Sequence, residues 1–106
     1  MTLEDLKRMP VFQTRGINAA EQDSPETHNY IIDCLFRFFA GDYGEICADD
    51  TAANNADLAA GDGHILARYK QKHNLRGDFF IEAHFYAPRL SDPDYTQIMI
   101  MYPDER

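Results

Sequence analysis

HILARYKQKHNLRGDFFIEAHFYAPRLSDPDYTQIMIMY, residues 64–102, decides the fold, because its apolar residues recur at every second position. A strand sends successive side chains to opposite faces, so this period predicts half-buried β-structure. In 64–71, Ile65, Ala67 and Tyr69 share one face, and Leu66, Arg68 and Lys70 share the other. The segment HNLRGD supplies a turn. In 78–87, Phe79, Ile81, Ala83 and Phe85 face one way, and Phe80, Glu82, His84 and Tyr86 the other. The loop PRLSDPD, with two prolines and two aspartates, breaks regular structure. YTQIMIMY, 95–102, is a third strand with both faces apolar, and Pro103 ends it. Three successive strands on short connections predict an antiparallel meander.

Upstream of residue 64 the period becomes helical. Ile31, Cys34, Leu35, Phe38 and Phe39 follow the i, i+3, i+4, i+7 rule, with Tyr30, Ile32 and Phe36 widening the stripe. Ser24 supplies an N-cap, Pro25 the first helical position and Glu26 an acidic first turn, so a helix is predicted over about 25–40 with Gly41 behind it. A second helix is predicted over about 48–60, with Cys47, Asp49 or Asp50 at its start and Leu58 its one large apolar group. VFQTRGI, 11–17, reads as a strand interrupted at Gly16, and 18–23 as a polar connection. Residues 1–9 read as a short helix or a frayed arm. The expected fold is one α+β domain over 1–106, with two helices on a three- to four-stranded, mostly antiparallel sheet in the order β-α-α-β-β-β.

The chain has 106 residues, 18 of them acidic against 10 basic, for a formal charge of −8. No apolar run approaches the ~20 residues of a membrane span and no signal core opens the chain, which predicts a soluble, cytoplasmic protein. The charge argues against direct binding to nucleic acid, whose affinity comes largely from cations on phosphates. It suits a protein partner with a basic surface. From Phe38 to Ala67 there is no lysine or arginine, while Asp42, Glu45, Asp49, Asp50, Asp57 and Asp62 add six negative charges. A solvated helix face is the plain reading. The sharper one makes these six residues the partner contacts, with carboxylates imitating phosphates in a cationic groove.

Chemistry is otherwise sparse. His28, His64, His73 and His84 are widely spaced and fit no metal-binding motif, so no metal or cofactor is expected. Cys34 belongs to the buried helix face, and no Cys34–Cys47 bridge is expected. Cys47 before a helix start has a physical reason for reactivity, and His84 stands on the outer strand face; a small enzyme using either is the lesser alternative. The basic row Arg68, Lys70 and Lys72, with Arg76 beyond, reads as exposed ion pairs, with Glu82 across the hairpin as one partner.

One stretch carries a likeness. FFAGDYGEICADDTAANNADLAAGDGHILARY, 38–69, resembles a family of small uncharacterised proteins common on plasmids, phages and integrated elements. Its members share a G-D-[WY]-G turn, an acidic helix start, an Asn in the following helix, a Gly, and a strand ending in Tyr. Those positions here are Gly41, Asp42, Tyr43, Gly44, Asp49, Asp50, Asn54, Leu58, Gly61 and Tyr69. VFQTRGINAA resembles the family's N-terminal strand and turn. The C-terminal half departs from the W-I-I-T-E-A-D-R-S-like strand and L-P-E-E-Y ending, with FFIEAHFYAPRLSDPDY and MYPDER instead. The resemblance implies a mobile-element protein without a known activity. Small acidic proteins of such elements resemble inhibitors of host defence, CRISPR nucleases and restriction enzymes among their targets. The expectation is thus a non-catalytic inhibitor of a nucleic-acid-handling enzyme, with a non-inhibitory accessory binding module as the alternative.

Overall fold

The meander forms as the period of two requires. In a computed structural model describing residues 1–106, β2 (Asp62–Tyr69), β3 (Phe79–Tyr86) and β4 (Gln97–Met101) pair antiparallel in succession. β1 (Val11–Gln13) joins at the far side, parallel to β4, giving the sheet order β1-β4-β3-β2. The parallel pair is the one departure from a purely antiparallel sheet.

The alternation sorts the two faces as the sequence predicts. Ile65, Ala67 and Tyr69 of β2, Phe79, Ile81, Ala83 and Phe85 of β3, and Ile98 and Ile100 of β4 are buried on one face. Onto that face packs α3 (Pro25–Phe39), which buries Thr27, Ile31, Cys34 and Phe38. Its start follows the predicted signal: the Ser24 hydroxyl accepts from Thr27 N–H at 3.4 Å, and Pro25 fills the first turn. Phe36 does not join the stripe; it is 63% exposed, on the helix flank away from the sheet.

Residues 14–23 differ from the sequence reading. The strand stops at Gln13, and a further helix, α2 (Arg15–Glu21), replaces the second half of the predicted strand and most of the polar connection. Thr14 ends one element and starts the next: its hydroxyl accepts from Ile17 N–H, and Ile17 and Ala20 are the buried side of the short helix. Gly16 marks close approach rather than a bulge. A Cβ there would lie 2.7 Å from Glu105 Oε2, because the Glu105 carboxylate accepts from Gly16 N–H and the Thr14 hydroxyl. Residues 3–6 form one short helical turn, α1 (Leu3–Leu6), tied down by buried Leu6. The third predicted strand shortens to Gln97–Met101, leaving Tyr95 outside it, 54% exposed and packed on Tyr86.

The second face of the sheet carries no helix. Phe12, Met99, Glu82 and Leu66 share one row across it. The final residues, a 3₁₀ turn over Pro103–Glu105, bring Arg106 back across this face. There Arg106 Nη2 reaches Glu82 Oε2 at 2.7 Å, so Glu82, only 3% exposed, is not the solvated side chain or hairpin ion-pair partner that alternation alone suggests. Cys34 is buried, Cys47 is exposed, and both are free thiols. β1 is an edge strand, with Val11 and Phe12 each more than two-fifths exposed. No helix is long and apolar enough to cross a membrane.

Candidate partner-binding surface

The acidic stretch is built around the other edge of the sheet. α4 (Ala48–Ala60) runs beside β2, and its side chains take the place of a neighbouring strand. Asn54, 5% exposed, accepts from Leu66 N–H through Oδ1 at 3.1 Å and donates from Nδ2 to Leu66 O at 2.9 Å. Asp57 Oδ2 accepts from His64 N–H at 3.1 Å. Further along, Arg68 N–H donates to Tyr43 O, and Arg68 O accepts from Glu45 N–H at 2.7 Å. The Tyr30 hydroxyl donates to Lys70 O at 2.7 Å. An exposed strand edge otherwise offers unpaired amides and carbonyls to any passing strand. Here His64 N–H, both backbone groups of Leu66 and of Arg68, and Lys70 O each meet a local partner.

The turn 41–44 fastens this arrangement. Arg37 Nε donates to Asp42 Oδ2 at 2.7 Å and Gly44 N–H donates to Asp42 Oδ1 at 3.1 Å. The Arg37 bond, and after it that of Gly44, hold the Asp42 carboxyl below the usual range, and the same Arg37–Asp42 bond raises the guanidinium. Tyr69 donates its hydroxyl to Asp42 O at 2.8 Å, and burial pushes that phenol far up. Gly44 sits at φ +72 with its Cα turned against β2; a Cβ would lie 2.1 Å from Arg68 O. Only glycine fits there.

The six acidic residues therefore divide. Asp42 is consumed by the turn, Asp57 by the strand edge, and Glu45 stands 3.9 Å from Lys70. Asp49 and Asp50 are exposed in the first turn of α4, where the helix dipole favours them, and neither has a cationic partner within 4 Å. Asp62, the first residue of β2, is exposed just past the opposite end of the helix. Nine of the ten cations, all but Arg15, are engaged within the chain. Lys7, Arg8, Arg37, Arg68, Lys70, Arg76, Arg89 and Arg106 each face a carboxylate of this chain, and Lys72 lies over the Tyr30 ring. Arg68 pairs with Asp78 and Arg76 with Asp104, as exposed ion pairs of the kind the basic row predicts. The surplus charge of the chain thus stands as unpaired carboxylates.

No constellation of nucleophile and base accompanies them. Cys47 precedes the first turn of α4 with no side-chain cap, while His84 lies near the helix's other end, so the two residues of the enzymatic alternative are not brought together. Two concavities of about 500 and 550 Å³ are open to solvent; one is lined by Gln13, Arg15, Asn18 and the Glu21–His28 pair, the other by Arg8 and the 87–93 loop. No group of three or more histidine, cysteine or carboxylate side chains converges on a common point. Sequence reading missed one juxtaposition: His64 and His84, 20 positions apart, face each other across β2 and β3. Only the strand register reveals it.

Asp42, Gly44, Asn54 and Tyr69 are the parts that lock the turn and α4 to the edge of β2. No family model, no curated protein and no solved structure matches the chain.

Proposed function

We propose that this protein is a non-catalytic inhibitor that binds a nucleic-acid-handling host-defence enzyme, of the CRISPR effector class, on a cationic surface. The observation that supports it is the division of charge around α4: Arg37, Arg68 and Lys70 are internally paired, whereas Asp49 and Asp50 at its start and Asp62 just past its end face solvent without partners. Unpaired carboxylates flanking the two ends of α4 steer encounter with a basic groove and discriminate against acidic partners. The likeness of 38–69 to mobile-element proteins points to the same class of target. Asp49, Asp50 and Asp62 are the primary contacts of this reading and Glu45 a secondary one, while Asp42 and Asp57 act by holding the surface in shape.

The test is DNA cleavage by a panel of purified CRISPR effectors, with and without the protein, across a salt series. Inhibition that weakens as salt rises supports competition for a cationic channel. The charge-reversed pair Asp49→Lys/Asp50→Lys should raise the inhibitory concentration at least tenfold while circular dichroism shows an intact fold. Inhibition indifferent to both salt and reversal moves the contacts to the helix-free sheet face around Phe12 and Met99. A protein without effect on every nuclease of the panel is better read as an accessory binding module.

A further inference from the structure

We infer that His64 and His84 form a two-histidine site for a divalent transition ion such as Ni²⁺ or Zn²⁺ on the helix-free face of the sheet. The backbone register creates the pair. His64 N–H points outward to Asp57 rather than toward β3, so His64 and His84 occupy a non-hydrogen-bonded position of the antiparallel ladder, where side chains stand closest. Their ring centroids are 5.6 Å apart with planes inclined by 31°. An ion 2.0–2.1 Å from one nitrogen of each ring lies about 3.2 Å from each centroid, so a tetrahedral angle between two imidazole ligands sets the centroids about 5.2 Å apart. The difference is within the reach of χ rotation, since both side chains are more than half exposed.

For His84 the surroundings supply the second requirement of a ligating imidazole, a partner for its other nitrogen. His84 Nε2 lies 3.2 Å from Glu82 Oε1, a carboxylate buried and held by Arg106. With its Nε2 proton given to Glu82, His84 keeps its lone pair on Nδ1. The Asp57 carboxylate lies 4.0 Å from His64 Nδ1, a second negative group near the pair. Two imidazoles with carboxylates behind them suit borderline ions and not Mg²⁺, which demands oxygen ligands. Water fills the remaining coordination positions, so the affinity is that of a two-ligand chelate and the site is open to a third donor from outside.

The experiment is calorimetric titration of the folded protein with NiCl₂, together with an NMR titration with ZnCl₂ that follows the four histidine ring resonances. The expected result is one equivalent bound, with the His64 and His84 resonances moving and those of His28 and His73 stationary. His64→Gln and His84→Gln should each weaken binding at least tenfold, and the double variant should abolish it. His28→Gln, His73→Gln and Cys47→Ser should bind as the parent does. Both target side chains are exposed, so the variants fold, which a thermal melt checks. Binding that survives in the double variant, that tracks His28, His73 or Cys47, or that Mg²⁺ reproduces, overturns the site, as does a parent protein that binds no ion.

Discussion

Tyr43 packs its ring against Phe38, with centroids 5.9 Å apart, and buries its hydroxyl without a hydrogen-bond partner. Burial raises the phenol pKa, and the group gains nothing from being polar. Tyr43→Phe is therefore expected to stabilise the protein by about 1 kcal/mol, read from urea denaturation. The neighbouring Tyr69→Phe has the opposite sign, because it deletes the bond to Asp42 O. A destabilised Tyr43→Phe would mean that its hydroxyl does have a partner. At this scale the sequence was legible where a role is local: Ser24 as a cap and Cys34 as a buried thiol follow from their neighbours. Roles set by distant residues were hidden. Glu82 owes its burial to Arg106, 24 positions on, and His84 owes its partner to the register of another strand.

Among the elements, α4 is the one whose sequence explains its form least by hydrophobicity. Leu58 is its only large buried residue, and the helix is held instead by Asn54 and Asp57 reaching the backbone of β2. Asn54→Ala removes two hydrogen bonds and leaves a part-buried amide and carbonyl of Leu66 bare, for an expected loss of about 2–3 kcal/mol. Hydrogen exchange at Leu66 should accelerate in the variant more than exchange at the β3–β4 pairs. Uniform acceleration would show instead that α4 and the sheet open as one unit. The meander, α3 and α4 were readable because each carries a sustained period or paired start and stop signals. α2 was not. Its seven residues offer only Ile17 and Ala20 to the core, and Gly16 looks like a strand bulge until the Glu105 carboxylate is placed against it.

Over the whole molecule, acidity and stability are linked through a few carboxylates rather than through the net charge alone. Asp42 is held below its ordinary value chiefly by Arg37, and Asp78 chiefly by Gln71 N–H and then Arg68. Burial alone would raise Glu105, but bonds from the Thr14 hydroxyl, Tyr102 N–H and Gly16 N–H outweigh it and leave it lowered. A carboxylate depressed in the folded state adds stability above its unfolded pKa, about 4, and that contribution disappears as pH falls through the folded value. The melting temperature is thus expected to vary little with ionisation of these groups above pH 5 and to drop below pH 4. Asp78→Asn should flatten that drop, and a drop of undiminished size in the variant would assign it to other groups. The acidic surface and its excess over cations were visible in composition; which carboxylates are free, and which hold the fold, depended on the folded arrangement of Arg37, His64 and Lys70. The two borders of the sheet also differ. Along β2 most outward backbone groups between His64 and Lys70 are taken by α4, the 43–45 turn and Tyr30, whereas β1 is uncovered. Such a sheet has a valence of one. If two copies joined through β1, the composite would present only the largely occupied β2 borders, so growth by strand addition would be disfavoured beyond the pair.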